Sequence, residues 1–109
     1  MIVDALIGYG LSGDVRRPAS DLIERMNSHT APTISLDVPS GIDATTGAVG
    51  STAVRPTQTL TLALPKTGLL ECATPVTLVD IGIPTAVYDR LEIAYSNPFD
   101  TDWAALERV

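Results

Sequence analysis

Two stretches of sequence decide the fold, IVDALIGYG at residues 2–10 and TISLDVPSG at residues 33–41. Each begins with a short apolar run that carries one carboxylate, at residues 2–7 and 33–38, and ends in a glycine-containing loop. This pattern is typical of a buried parallel strand, and we predict a strand at each run. Between them, residues 18–28 begin with a proline and acidic residues and continue with an apolar stripe, which predicts a helix. The order of strand, loop, helix and strand predicts a βαβ unit.

The rest of the chain continues the α/β pattern. We predict a third strand at residues 58–64, where Thr alternates with Leu, and a fourth strand at residues 76–80. A brief helical segment is expected at residues 68–72, between these strands. Short helices are expected in the tail, near residues 85–91 and 101–108. The sequence therefore predicts an α/β fold with a mainly parallel sheet.

Polar loops follow the predicted strands at residues 8–14, 39–47 and 65–68. Ligands of open parallel sheets bind beyond the carboxyl ends of the strands, so these loops would emerge together at one edge. The stretch 39–56 is long for a connection and has no strong periodicity, and loops of that length tend to be functional. We therefore expect the functional site at this edge.

The composition argues against two classes of function. The chain has 109 residues and a net charge of −6, with 7 Lys and Arg against 13 Asp and Glu, so it lacks the basic surface that nucleic-acid binding requires. Its apolar runs are far shorter than a membrane span and no signal peptide is recognisable, so we expect no membrane association and a cytoplasmic location. The acidity fits a protein from a high-salt cytoplasm as well as an ordinary short acidic chain.

Asp4 lies inside the first predicted strand, ahead of the loop Gly8-Tyr9-Gly10-Leu11-Ser12-Gly13-Asp14. A carboxylate in an apolar strand is costly unless it is paired, hydrogen-bonded or bound to a cation. The glycines allow the loop backbone to approach a ligand and to turn its N–H groups toward an anion. The spacing differs from that of the dinucleotide-binding fingerprint. The alternative is a strand-to-helix turn in which backbone amides satisfy Asp4.

Asp37 lies near the end of the second predicted strand, which runs to Val38 and is followed by Pro39, Ser40 and Gly41. In a βαβ unit it would lie near the loop that follows Asp4. Two carboxylates with carbonyl and hydroxyl oxygens suit a hard cation, and one of them could instead act as an acid or base beside a bound ring. The alternative is an Asp that caps the following turn through an Asx motif.

Lys66 is the only lysine and lies in a Pro-Lys-Thr-Gly turn after the third predicted strand. We interpret it as a solvated turn residue. The alternative is contact with a cofactor phosphate.

Taken in this order, the two segments resemble the YjeF N-terminal family, whose members carry a V-D-A-x-x-G-x-G-x-x-G strand and loop followed by a D-x-P-S-G-x-D loop. Later landmarks match as well, namely Gly47, AVRP at 53–56, PKTGLL at 65–70 and VDIGIP at 79–84. The resemblance covers about residues 2–84 and leaves 85–109 as a C-terminal tail. It implies one partial domain with a three-layer αβα Rossmann-like fold.

The resemblance also implies an enzyme activity, the epimerisation of hydrated NADH or NADPH. In that damaged cofactor the reduced nicotinamide ring carries a hydroxyl, and the family enzymes interconvert its R and S forms. A separate ATP- or ADP-dependent dehydratase, often fused C-terminally, then acts on the S form. By position, Asp4 and Ser40 resemble potassium ligands, Gly8 through Asp14 resemble the loop that binds the hydrated cofactor, and Asp37 resembles the acidic residue that contacts it and is our candidate catalytic residue.

The chain departs from the family pattern in one respect. The first half of the family's domain carries an N-N-G-G-D-G-like loop that supplies phosphate-binding amides and another potassium ligand, and this sequence contains no such loop. We therefore expect little epimerisation by this chain alone, and either a homo-oligomer or pairing with a complementary N-terminal half. The alternative function is a non-catalytic nucleotide-binding or dimerisation module of the same fold.

Overall fold

The computed structural model describes residues 1–99 and the backbone of residues 105–107. Its centre is a five-stranded sheet in which the strands lie side by side in chain order. The strands are β1 (Ile2–Asp4), β2 (Thr33–Leu36), β3 (Gln58–Leu62), β4 (Val76–Val79) and β5 (Ala105–Glu107), and the helices are α1 (Ala19–Ser28) and α2 (Thr85–Arg90). Strands β1 to β4 pair in parallel, and β5 pairs antiparallel with β4. The predicted α/β fold with a mainly parallel sheet is confirmed.

The predicted βαβ unit is formed by β1, α1 and β2. Helix α1 carries an acidic residue in its first turn and Arg25 in its last turn, which complements the helix dipole. Its Ile23 is fully buried and packs with Val15 and Val54. The helix therefore anchors both the loop that follows β1 and the segment that precedes β3.

The two faces of the sheet differ in how well they are covered. One face is buried along its length and includes Asp4, Ser35, Thr59, Thr61 and Leu78, which the strand register places on the same side. Residues of the other face are mostly half-buried, and its Val3 is 51% exposed. The described part of the chain thus packs against one face more completely than against the other.

The observed strands are shorter than the predicted ones. The first ends at Asp4, the second at Leu36 and the third at Leu62. After β2 and β3 the backbone turns through positive φ, at Asp37 with 69° and at Ala63 with 65°, and an extended strand cannot continue through such a residue. The brief helical segment is a 3₁₀ helix at Thr67–Leu69.

The tail contains one of the two expected helices. Helix α2 confirms the one near residues 85–91. Residues Ala105–Glu107 form a strand, so the helix expected near 101–108 is wrong at these positions, and the rest of that segment lies outside the described residues. Pairing with β4 satisfies backbone groups at the sheet edge, which a helix would leave unpaired. Within the described residues, no helix is both long and apolar enough to cross a membrane.

Candidate active site

Asp4 lies at the carboxyl end of β1 with 1% of its surface exposed. Its Oδ2 accepts hydrogen bonds from the Ser35 hydroxyl at 2.7 Å and the Ser40 N–H at 2.9 Å. Its Oδ1 accepts from the Ser40 hydroxyl at 2.6 Å and the Leu6 N–H at 3.3 Å. In the described part of the chain the ion pairs are Arg17–Asp21 and Lys66–Asp37, so no cationic side chain balances this buried charge.

Ser40 joins the loop after β2 to the loop after β1. Its side chain is fully buried, and its hydroxyl oxygen accepts a hydrogen bond from the Ile7 N–H at 2.8 Å. The same oxygen lies 3.2 Å from the Ile7 carbonyl oxygen. Oxygens of Asp4 and Ile7 therefore both lie close to the Ser40 hydroxyl, and hard cations take oxygen ligands of these kinds. The residues present fit the potassium ion that the resemblance implies.

Asp37 directly follows β2 in a left-handed backbone conformation with a φ of 69°, which is uncommon for a residue other than glycine. Its backbone N–H donates to the Leu60 carbonyl at 2.7 Å. Its Oδ1 accepts from the Leu62 N–H at 3.3 Å and forms an ion pair with the Lys66 ammonium. The carboxylate thus contacts the loop after β3 and does not form the Asx turn that was the alternative interpretation.

The Asx-type turn is formed by Asp43 instead. Its Oδ1 accepts from the Thr46 N–H at 2.8 Å and the Thr45 N–H at 2.9 Å. These backbone hydrogen bonds, Thr46 first, together with the Thr46 side chain, hold the pKa of the Asp43 carboxyl below its usual range. The Asp43 carboxylate therefore has a local role in shaping its loop.

The loop 8–14 is fixed mainly at its far end. Leu11 packs against the cluster of Val15, Ile23 and Val54, and Asp14 Oδ1 accepts from the Ser51 N–H at 2.8 Å. The remaining residues of the loop are exposed: Gly8, Tyr9, Gly10, Ser12 and Gly13. Among the described residues, none of the backbone N–H groups of residues 8–14 donates a hydrogen bond to the protein. These amides are free to bind a ligand.

The predicted proximity of the two loops is confirmed. Ser40 contacts both Asp4 and Ile7, and a Cβ built on Gly8 would lie 3.8 Å from Asp37 Oδ2. The structure therefore brings Asp4, Ser40, Asp37 and the start of the loop 8–14 to one edge of the sheet. Their roles in binding or catalysis stay predictions.

The interpretation of Lys66 as a solvated residue is wrong. Its side chain is only 14% exposed, and its ammonium pairs with Asp37 and donates to the Leu62 carbonyl at 2.6 Å. One signal in the sequence could have located it, because a turn after β3 lies at the same edge of a parallel sheet as a turn after β2. A lone lysine at that edge of an acidic chain is well placed to meet a carboxylate.

The fold and this edge define an α/β domain with a carboxylate-containing site beyond the carboxyl ends of parallel strands. Residues 1–68 match the family model described as YjeF-related protein N-terminus. The chain therefore belongs to this family, and the resemblance drawn from its motifs is confirmed.

Several relatives of this chain are named as enzymes. The chain is 48% identical over 101 residues to the NAD(P)H-hydrate epimerase of Dehalogenimonas lykanthroporepellens, covering 91% of this chain and 41% of the relative. It is 42% identical over 103 residues to the NAD(P)H-hydrate epimerase of Weissella koreensis, covering 90% and 45%. It is 48% identical over 95 residues to the bifunctional NAD(P)H-hydrate repair enzyme Nnr of Salinibacter ruber, covering 83% and 18%. The chain thus spans less than half the length of these relatives.

A solved structure shares the fold. The crystal structure of yeast ynu0, YNL200c, superposes with a TM-score of 0.75 at 24% sequence identity, covering 98% of this chain and 46% of the yeast chain. This likeness supports the Rossmann-like architecture and nothing finer.

Proposed function

We propose that this chain forms part of the active site of an NAD(P)H-hydrate epimerase, which interconverts the R and S forms of hydrated NADH and NADPH. Relatives that carry this name are 42% and 48% identical over most of the chain. The observation that carries the proposal is the meeting of Asp4, Ser40 and Asp37 around a loop whose amides are free.

The loop 8–14 would hold the substrate by its phosphates. Its N–H groups have no protein partner among the described residues, and its glycines leave the backbone open to close approach. The chain is acidic overall, and its carboxylates would repel a negatively charged dinucleotide. The loop amides offer hydrogen-bond donors that carry no negative charge. Binding the phosphates along this loop would orient the nicotinamide ring near Gly8, beside Asp37.

Asp37 would act on the hydrated ring. Inverting a carbon that bears a hydroxyl requires a bond at that carbon to break and to form again, and the proton removed in one step must return in the other. Asp37 Oδ2 faces Gly8 and accepts no hydrogen bond from the described residues, whereas Oδ1 is engaged. The free oxygen is therefore in a position to take up and return that proton.

Asp4, Ser40 and the Ile7 carbonyl would hold potassium. When bound, the ion would supply a positive charge beside the substrate's negative groups. The hydrogen bonds of Asp4 tie the carboxyl end of β1 to Ser40 and so keep the three oxygens together. The potassium ion would then neutralise the charge of Asp4, which forms no ion pair with a side chain of the described residues.

The proposed partner is an ADP- or ATP-dependent NAD(P)H-hydrate dehydratase that consumes the S form. The relatives from Salinibacter ruber and Coxiella burnetii are named bifunctional NAD(P)H-hydrate repair enzymes. Where the two activities lie on separate chains, the epimerase would hand its product to the dehydratase. The cytoplasmic location expected from the sequence stays a prediction.

The test follows the ratio of R to S hydrate by chromatography, starting from NADH hydrate enriched in one form. We expect slow conversion by the 109-residue chain alone and faster conversion when the remaining half of the domain is supplied in cis or as a second chain. Asp37→Asn should remove that acceleration, and replacing potassium with sodium should reduce it. The matched control is Asp89→Asn, an exposed carboxylate on α2.

One outcome would replace the proposal with its alternative. We call this chain together with the remaining half of the domain the completed domain. If the completed domain binds hydrated NADH but does not change the ratio of R to S, the chain belongs to a nucleotide-binding module. If Asp37→Asn epimerises as fast as the unmodified protein, Asp37 is not the group that moves the proton.

A further inference from the structure

The strongest unexplained feature is the contact between the only lysine and the candidate catalytic carboxylate. The side chains of Lys66 and Asp37 are 14% and 21% exposed, so solvent screens their ion pair less than it would screen a surface pair. The two residues follow different strands, β3 and β2, and meet at the edge that carries the candidate site. Nothing in the proposed reaction yet uses Lys66.

Lys66 is itself fixed from a second side. Its ammonium donates to the Leu62 carbonyl at 2.6 Å, while the Leu62 N–H donates to Asp37 Oδ1 at 3.3 Å. The Leu62 backbone therefore contacts both partners of the ion pair, since its carbonyl binds the ammonium of Lys66 and its N–H binds the carboxylate of Asp37. Lys66 is less free to reach for a distant phosphate than a solvated turn lysine would be.

The two oxygens of Asp37 are consequently different. Oδ1 contacts Lys66 and the Leu62 N–H, and Oδ2 points toward Gly8 without a hydrogen bond from the described residues. A substituent at Gly8 would lie 3.8 Å from Oδ2, so the glycine keeps open the space in front of this oxygen. The contacts at Oδ1 thus determine where Oδ2 points.

We propose that Lys66 is a positioning residue for Asp37: it holds Oδ1 so that Oδ2 faces the hydrated nicotinamide ring above Gly8. This inference rests on the proposed epimerase function. Lys66 acts through Asp37 and need not touch the substrate. The competing role, a direct grip on a cofactor phosphate, is separable because it would affect substrate binding more than turnover.

Kinetics of the completed domain test the role in turnover. Lys66→Met is expected to lower kcat roughly 100-fold with little change in KM, since a misplaced catalytic group costs rate rather than affinity. Lys66→Arg keeps the charge and should retain more of kcat. Arg90→Met, which removes an exposed cation from α2, is the matched control and should behave as the unmodified protein. A raised KM with unchanged kcat in Lys66→Met would overturn the proposal in favour of phosphate binding.

A second measurement needs neither substrate nor the rest of the domain. Because Lys66 is the only lysine, a chain made with isotope-labelled lysine gives a single side-chain ammonium signal in NMR. We expect slow exchange of its protons with water in the unmodified chain and fast exchange in Asp37→Asn. Equal exchange in the two chains would overturn the proposal even if Lys66→Met fails to fold.

The two measurements also separate this inference from the proposed function. If the completed domain does not epimerise, the proposed function fails, and the lysine signal still decides whether Lys66 holds Asp37. If it does epimerise and Lys66→Met matches the control, only the inference fails.

Discussion

At the scale of single residues, Asp4 supports both the fold and the candidate site. It is buried at the end of β1, and its two carboxylate oxygens accept hydrogen bonds from two hydroxyls and two backbone N–H groups. The donors are Leu6, Ser35 and Ser40, which lie in three parts of the chain. Hydrogen bonds to a charged acceptor are roughly twice as strong as neutral ones. The Asp4 carboxylate therefore links the loops after β1 and β2 to each other and to the sheet.

Replacing Asp4 with Asn should destabilise the chain. The amide NH₂ cannot accept hydrogen bonds. If it takes the place of Oδ2, the Ser35 hydroxyl and the Ser40 N–H lose their acceptor, and if it takes the place of Oδ1, the Ser40 hydroxyl and the Leu6 N–H lose theirs. A buried donor left unpaired costs roughly 1–3 kcal/mol, and we expect a loss in the free energy of unfolding within that range.

Urea unfolding followed by circular dichroism measures the loss. Asp89→Asn, at an exposed position, should shift the free energy of unfolding by less than about 0.5 kcal/mol. If Asp4→Asn is as stable as this control or more so, the cost of burying the Asp4 charge outweighs its hydrogen bonds.

The sequence predicted part of this site. A carboxylate in an apolar strand and another at the next strand's end were enough to place Asp4 and Asp37 at one edge, because parallel strands end together. The pairing of Lys66 was missed because it depends on the path of the chain after β3. There Ala63 turns through a φ of 65°, and Lys66 comes back to the Leu62 carbonyl. Local propensity does not specify such a return.

At the scale of elements, strand type was predictable and strand length was not. Apolar runs and alternation identified β1 to β4, since those patterns reflect burial. Their ends were overestimated because Asp37 and Ala63 leave the extended conformation for tertiary reasons. Strand β5 was mistaken for helix because its pairing partner, β4, lies far away in sequence.

The packing of the loop after β2 explains why two glycines with the same backbone angle should respond differently to substitution. Gly47 has a φ of 75°, and a Cβ there would lie 2.7 Å from the Gly68 carbonyl oxygen. Gly82 has a φ of 76° with no atom within 4 Å. The two glycines have nearly the same φ, and Gly47→Ala should cost roughly 1–3 kcal/mol more in unfolding free energy than Gly82→Ala because it overpacks a close backbone contact.

The comparison is made by chemical denaturation of the two variants side by side. Equal losses would mean that the Gly68 segment moves aside at little cost, and that the loop after β2 is less tightly packed than its contacts indicate.

At the scale of the whole molecule, the free edge of β1 carries an apolar surface that the described residues leave uncovered. An open groove of about 510 Å³ lies there, with Val3, Leu6, Leu22 and Met26 among its lining residues. Strand β1 is the outer strand of the sheet, and an unpaired strand edge beside apolar side chains favours association with another polypeptide.

We expect the purified chain to self-associate through this groove unless a complementary half covers it. Sedimentation velocity over a range of concentrations should show species larger than the monomer, and Val3→Lys should shift the distribution toward the monomer by placing a charge in the groove. Ile81→Lys, at an exposed apolar position outside the groove, should not. A compact monomer at every concentration would remove this prediction.

The segment 39–56 resembles a linker in composition, yet its backbone is held at many points. The Ser51 N–H donates to Asp14, the Val54 N–H to Ser40, and the Arg55 N–H to Asn27, whose amide in turn donates to Ala53. Proteases cleave backbone that detaches and extends locally, which this anchoring opposes. A brief digestion of the folded chain with a non-specific protease should therefore leave the segment uncut, even though it contains no helix and no strand of the sheet.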